Sequence, residues 1–358
     1  MSEMKNFRII GLMSGTSLDG LDLADVEFLQ SENGTWSFNL IHSETVDYTD
    51  EFRGELKNAP FMPGENLGVL SVELGRFYGH EVLRFIEKNK VDKDLITAIA
   101  SHGQTIFHQP DKGFTLQIGN GPELTAITGI KSIVDFRTKD VALGGNGAPL
   151  VPVADDYLFS HLADSFLNIG GFANISFKKT NWLSFDICPA NIVLNELVQH
   201  FNKVFDFNGE IGRSAKVNPE LLNELNNLDY YSQDGPKSLG SEWVERAILP
   251  ILEKEDDETS KLGTFYSHIA NQIARNLEKY ELKSVFITGG GGKNSFLIDS
   301  IKEQYIGQVI IPEKDIIDFK EAIAFAFLGV LRLNNLDNTY ASVTGARENS
   351  CSGVVFEV

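Results

Sequence analysis

The sequence predicts an α/β protein made of two related α/β domains. Three observations carry that expectation. At 358 residues the chain has room for two domains of roughly 100–200 residues each. Short apolar runs alternate with segments of helical period, the pattern of strands covered by helices. One layout also occurs twice: an apolar strand, a turn of small residues and a second strand, beginning at Phe7 and again at Phe166. A repeat that long marks a duplicated domain rather than a short-period solenoid.

Composition bounds the function. A hydrophobic fraction of 42% with 23% charged residues is ordinary for a globular chain with a large core. A formal net charge of -19 argues against a nucleic-acid binder, which presents a basic face. The two cysteines, Cys188 and Cys351, supply neither a disulfide framework nor metal-ligand spacing. The segment Met1-Ser-Glu-Met-Lys5 has no signal-peptide core, and no apolar run reaches the ~18–20 residues of a membrane span. The expectation is a cytoplasmic protein with a small-molecule substrate and no membrane partner.

The first repeat holds Gly11-Leu-Met-Ser-Gly-Thr-Ser-Leu-Asp-Gly20 between Phe7–Ile10 and Leu21–Phe28. Small residues let backbone N–H groups approach an anion, and the turn adds two hydroxyls and a carboxylate. It reads equally as a nucleotide-phosphate turn or as an ordinary Asp-Gly hairpin. Leu67, Leu70, Leu74, Phe77 and Tyr78 predict a helix over 65–90. A short strand, 95–100, then ends in Ser101-His-Gly-Gln-Thr105, where His102 and Gln104 either face a polar ligand or are satisfied by backbone. A strand over 114–118, a helix over 123–128 and a strand over 132–134 lead to Asp135-Phe-Arg137. The planar guanidinium of Arg137 suits a carboxylate or phosphate, although a solvated charged loop explains the segment as well. Gly144-Gly-Asn-Gly-Ala-Pro149 reads as a mobile connector.

The second repeat is Ser165-Phe-Leu-Asn-Ile-Gly-Gly171 followed by a strand over 172–177. Next, Asp186 ends a short strand that Pro189 stops, and Asn191 is placed to cap a helix carrying Leu194, Leu197, Val198 and Phe201. A carboxylate at a strand end suits a general base, or simply a turn. Residues 205–257 read as helical and acidic, broken at Asp234-Gly-Pro-Lys-Ser-Leu-Gly240, and helical period resumes over 265–277. A strand over 284–288 enters Gly289-Gly-Gly-Gly-Lys-Asn294. That loop matches neither a Walker A sequence nor the dinucleotide fingerprint, but bare backbone there can receive a flat ring. Residues 321–333 are apolar nearly all round, a buried helix.

Taken together, Gly11 to Asp22, Ser101 to Thr105, Asp135 to Arg137, Gly144 to Pro152, Asn168 to Gly171, Pro236 to Gly240, Gly289 to Asn294 and Val343 to Ala346 resemble the anhydro-N-acetylmuramic acid kinase family. The resemblance covers essentially the whole chain. It implies two ribonuclease-H-like (actin/hexokinase-type) domains flanking an ATP cleft, residues 1–133 with 334–358 and residues 134–333. It also implies a reaction: ATP phosphorylates O6 of 1,6-anhydro-N-acetylmuramic acid while water opens the anhydro bridge, a step of peptidoglycan recycling. By the same likeness Asp186 is the general base. Gly15, Thr16, Ser17, Leu18, Asp19, Gly20, Leu21 and Asp22 form the first phosphate turn, with Asp19 and Asp22 near Mg²⁺. Asn168, Gly170 and Gly171 form the second phosphate turn, and Gly289, Gly290, Gly291 and Asn294 lie under adenosine. His102, Arg137 and Glu321 are expected on the sugar, with Ser14 and Gln104 beside them, and the family likeness suggests a homodimer.

One departure stands out. The family pattern Phe-Asp-Thr-Gly-Pro-Gly-Asn reads Phe185-Asp-Ile-Cys-Pro-Ala-Asn191 here, so a hydroxyl and two glycines beside Asp186 are lost. The alternatives it raises are a kinase of another sugar on the same fold, or a non-catalytic ATP-binding relative of actin.

Overall fold

The first repeat forms a three-stranded antiparallel meander, Lys5–Ser14, Gly20–Gln30 and Trp36–Asp47. The computed structural model describes residues 5–358. Ala98–Ser101 lies parallel to the first strand on its other side, followed by Ser132–Val134 and, at the edge, Val354–Phe356. The second repeat does the same. Ser165–Ile169, Phe172–Lys178 and Trp182–Pro189 form the meander, and Ser284–Thr288 and Gln308–Ile310 add in parallel beside its first strand. Both sheets therefore run third, second, first, fourth, fifth, with one extra edge strand in the first. This is the ribonuclease-H-like topology, present twice, as the duplicated turns predicted.

The chain divides into two compact units. One holds the chain up to Phe159 together with Phe319–Val358, the other Ser160–Asp318. The boundaries expected at 133/134 and 333/334 fall inside the first unit. The glycine-rich connector explains part of this. Asp140 accepts the Gly147 N–H at 2.7 Å and the Thr344 hydroxyl at 2.7 Å, so the segment after Arg137 is laced to the first unit.

The helix Lys314–Leu333 explains the rest. Residues Ala322 to Leu331 are buried without interruption. It lies so close to the first strand that a Cβ on Gly11 would stand 2.1 Å from the Ala322 carbonyl oxygen. Gly329 lets the same helix approach Ala100. Its first turn was missed because Asp315 and Asp318 mask the apolar period. The third strand, Trp36–Asp47, was also missed, because most of its residues are half-exposed and alternate weakly. Farther on, the acidic stretch 205–257 is helical and broken around 234–240 as expected, but its first part is divided further into short helices such as Pro219–Asn226. Among the described residues no helix is long and apolar enough to cross a membrane.

Two glycine substitutions separate packing from propensity. Gly11→Ala forces the strand and the helix apart and should destabilise the first unit by ~1–3 kcal/mol or more. Gly54, inside the helix Asp50–Asn58, has nothing within 4 Å of its would-be Cβ, so Gly54→Ala should be stabilising by about 0.5–1 kcal/mol. Calorimetric melts of both variants check the pair.

Candidate functional site

Within the first unit, the strand ends Ser14, Ser101 and Val134 bring Ser14, His102 and Arg137 to the C-terminal edge of the parallel strands, where α/β sheets bind ligands. His102 is buried. Its Nδ1 donates to the Gly103 carbonyl at 2.8 Å, and its Nε2 accepts from Arg137 Nε at 2.9 Å. Those partners require the neutral ring with its proton on Nδ1. Burial pushes His102 down to about 3, and the neighbouring Arg137 charge adds to this. Arg137 also donates to the Gly147 carbonyl at 2.6 Å. Burial pulls its guanidinium down to about 10, against the opposing charges of Glu321 and Asp140. Both His102 and Arg137 stack on Phe325, with ring and guanidinium 4.7 and 5.9 Å from its centre.

Glu321 lies one helical turn before Phe325 and so on the same face. It is half-buried; burial pushes its carboxyl up while Arg137 and Lys320 pull it down. The three expected sugar residues thus converge. Ser14 and Gln104 do not join them. Both are buried, and the Ser14 hydroxyl is bound by Gln104 Oε1 and the Tyr48 hydroxyl. They brace the strand end from behind.

The first turn has mixed roles. Leu18 N–H closes a turn on the Gly15 carbonyl at 3.1 Å, and Leu18 takes a positive φ of 58°. Thr16, Ser17 and Asp19 are exposed on it, and Gly15 has room for a ligand, its would-be Cβ meeting only the Ser17 hydroxyl at 3.5 Å. Gly20 is glycine for packing, since a Cβ would lie 2.4 Å from the Val46 carbonyl oxygen. Leu21 is a core residue. Asp22 is half-buried and accepts from the Thr45 hydroxyl.

Within the second unit, two expected nucleotide motifs meet. A Cβ on Gly289, which has a φ of 81°, would stand 2.4 Å from Asn168 Oδ1, and one on Gly291 2.3 Å from Ile169 Cγ2. Those glycines seat the loop on the second turn. Gly170, Gly171 and Gly290 have no such neighbour within 3.5 Å. Asn191 is not the helix cap; that position is Ala190. Asn191 instead donates to the Ile169 carbonyl at 3.3 Å. Gly290 and Asn294 line a cavity of about 390 Å³ with Leu194, Phe205, Phe207 and Tyr266. Asn294 caps the following helix through Leu297 N–H and donates to the Tyr266 hydroxyl at 2.8 Å. The aromatic walls carried no motif; their exposed Phe205-Asp-Phe207 pattern was the available signal.

Asp186 sits on the third strand of that unit, half-buried. Its Oδ1 accepts from Asn174 Nδ2 at 3.0 Å and its Oδ2 from Leu239 N–H at 2.9 Å. Burial pushes its carboxyl up and these two donors pull it back. A carboxylate held this way can take a proton from a neighbouring water or hydroxyl. The strand does not stop there but continues through a bulge to Pro189. Ile187, Cys188 and Ala190 are wholly buried in the core, and of them Cys188 lies near enough for the Asp186 charge to act on its thiol. Burial pushes the Cys188 thiol up, with Asp186 adding to this, which removes it as a nucleophile.

His268 repeats the neutral-histidine arrangement, its Nδ1 donating to Asn226 Oδ1 at 2.7 Å and its Nε2 bound by the Tyr231 hydroxyl at 2.9 Å. Burial pushes it down to about 3 as well. A histidine whose folded pKa lies below its unfolded value of 6.5 takes up a proton on unfolding. Each therefore contributes stability above pH 6.5 that is lost as the pH falls towards 3. Denaturant titrations at pH 7 and pH 5 should show the decline, and neither ring should titrate between pH 5 and 8 by NMR.

The model of the family described as "Anhydro-N-acetylmuramic acid kinase" matches residues 7–358. A protein of that name from Haemophilus influenzae is 35% identical over 387 aligned residues, covering 99% of each chain. Another, from a Shewanella species, is 36% identical with 98% of each chain covered. Among solved structures, component A of Acidaminococcus fermentans (R)-2-hydroxyglutaryl-CoA dehydratase aligns with 89% of this chain and 96% of its own, at a TM-score of 0.45 and 12% identity, too distant to bear on function. The chain belongs to the anhydro-N-acetylmuramic acid kinase family.

Proposed function

We propose that the chain uses ATP to convert 1,6-anhydro-N-acetylmuramic acid into N-acetylmuramic acid 6-phosphate and ADP, with water opening the anhydro bridge. Family membership supports the substrate. The observation that carries the mechanism is Asp186, whose two oxygens accept from an amide and a backbone N–H. Neither donor competes for the proton the carboxylate must take.

In this reading Asp186 removes a proton from water as its oxygen attacks the anomeric carbon. The bond from that carbon to O6 breaks, and O6 keeps the electron pair. O6 then attacks the γ-phosphorus as the bond to ADP breaks. Positioning and charge neutralisation do most of the remaining work in phosphoryl transfer. Arg137, His102 and Glu321 hold the sugar; five N–H donors leave Arg137 capacity beyond its two protein bonds. The backbone N–H groups of Thr16, Ser17, Asp19 and Gly171 receive phosphates, since those of Leu18 and Gly170 already donate to the Gly15 and Phe172 carbonyls. Gly290 and Asn294, with Phe205 and Phe207, receive adenosine in the cavity beside them.

In the same reading Asp19 and Asp22 would hold Mg²⁺. Among the described residues no three His, Cys, Asp or Glu side chains cluster to cage a metal. One or two carboxylates with phosphate oxygens are what Mg²⁺ ordinarily takes in a kinase, so the residues fit. Bound there, the ion would neutralise phosphate charge. A cytoplasmic location belongs to the same reading, in keeping with two unpaired cysteines, and so does a homodimer, which light scattering in solution tests.

Two substitutions test the assignment. Asp186→Asn should lower turnover by ~10²–10⁴-fold with ATP still bound; unchanged turnover contradicts the mechanism. Gly290→Val should fill the cavity without disturbing the loop, because the Cβ meets only Asn191 Nδ2 at 3.6 Å. The KM for ATP should rise about tenfold or more, the equivalent of ~1.4 kcal/mol, with kcat little changed. An unaltered KM would move adenosine elsewhere.

A further inference from the structure

A polar rung crosses four strands of the second sheet. Thr288 pairs with Asn168, Asn168 with Asn174, and Asn174 with Asp186. Residues directly opposite across strands project to the same face and touch. The rung therefore links the turn expected to take phosphate to the carboxylate expected to take the water proton. Asn174 occupies the position between them, and neither a motif nor a family pattern singled it out.

We infer that Asn174 is the positioning residue for Asp186: it fixes the carboxylate's rotation and favours its charged form. The inference rests on the reading of Asp186 as the base. The amide orientation is set by the carboxylate, which only accepts: Asn174 Nδ2 donates to Asp186 Oδ1 at 3.0 Å, and Ser184 Oγ donates to Asn174 Oδ1 at 3.3 Å. A flipped amide would lose the bond to Asp186 and set its oxygen against a carboxylate oxygen, although the Ser184 hydroxyl could then accept from the amide nitrogen. The main chain of Asp186 is fixed separately. Its N–H donates to the Lys237 carbonyl at 3.0 Å, and its carbonyl accepts the Tyr230 hydroxyl at 2.6 Å. The register shift follows at once, between Asp186 and Cys188. Asn174–Asp186 is thus the last pair before the bulge, which re-aims the residues that follow on the same strand.

The first unit carries a counterpart. There Asp22 lies opposite Met13 and Thr45, and the Thr45 hydroxyl donates to Asp22 Oδ1. In each meander a side chain on the adjacent strand holds the carboxylate.

The titratable groups facing Asp186 are Cys188, Tyr230 and Lys237. Burial pushes both Cys188 and Tyr230 up, so they stay neutral in the working range. Burial lowers Lys237, whose ammonium donates to the Tyr230 and Gln233 carbonyls at 2.9 and 3.0 Å. None of them replaces the Asn174 amide at Oδ1. Glu321, in the other unit, also contributes to the acid side of the profile, but Asn174 variants leave its surroundings unchanged.

The test is the pH dependence of kcat and kcat/KM with Mg-ATP and 1,6-anhydro-N-acetylmuramic acid for Asn174→Ala, Ser184→Ala and Asp186→Asn. Loss of a donor to a carboxylate raises the carboxyl's pKa. The acid limb of Asn174→Ala should therefore move to higher pH by about one to two pH units, with most of the rate recovered at alkaline pH and the KM for ATP unchanged. Ser184→Ala, which only releases the amide, should move the limb the same way by less. Acid limbs that superpose on the parent's in both variants, with Asp186→Asn inactive, overturn the role of Asn174 alone. If Asn174→Ala fails to fold in a thermal melt, an unmoved limb in Ser184→Ala overturns it. Full activity in Asp186→Asn would instead remove the base assignment on which the inference rests.

Discussion

A carboxylate that is to act as a base while partly withdrawn from water must be kept charged by something other than water. Asp186 faces that constraint, and much of the second unit follows from it. Hydrogen bonds to a charged group contribute on the order of 1.5–3 kcal/mol each, which is the size of term needed to offset partial burial. One donor comes from the sheet, Asn174, and one from the loop after Pro236, Leu239. The loop can reach because Gly235 lies flat on Phe185, where a Cβ would stand 2.3 Å from the ring. Lys237 ties the same loop to the Tyr230 and Gln233 carbonyls. The segment Pro236–Gly240 thus serves the carboxylate through its backbone, which is why its side chains alone suggested no chemistry.

The first unit solves a different problem: holding a cation and a carboxylate near each other without letting them collapse into a closed pair. Arg137 spends its Nε on neutral His102 and one terminal nitrogen on Gly147. Glu321 arrives on a separate element, the helix that crosses Gly11. The stacking of His102 and Arg137 on Phe325 fixes the distance between sheet edge and helix. Were Gly11 to carry a side chain, the helix would shift and Glu321 with it, so a backbone contact far from the chemistry sets its geometry.

Much of this was legible in the sequence because it is written in short, local patterns. The duplicated strand–turn–strand layout gave the topology, since each turn sits where a strand changes direction. His102, Arg137 and Glu321 were recognisable, and the structure brings them together. Ser14 and Gln104 looked alike to them in sequence but are turned inward, because a strand's facing depends on its register and not on its composition. Gly20, Gly289 and Gly291 looked like ligand glycines from sequence, and each also has a packing reason that only contact with Val46, Asn168 and Ile169 reveals. Asn174 and Leu239 were invisible because their role depends on pairing across strands and on a loop more than fifty positions away from Asp186 in the chain. The unit boundaries were misplaced because lacing by Asp140 and the long helix joins segments remote in sequence.

The substitutions at Ile187, Cys188 and Ala190 lose their force once their side chains are seen in the core. They leave both donors to the carboxylate in place. The account therefore stands or falls on the coupled reaction itself. The most direct test is the mass of the product formed from 1,6-anhydro-N-acetylmuramic acid and Mg-ATP. A product heavier by one phosphate and one water is the predicted result, since bridge opening and transfer then occur together. A product heavier by phosphate alone would contradict the role of Asp186 as the base that activates water.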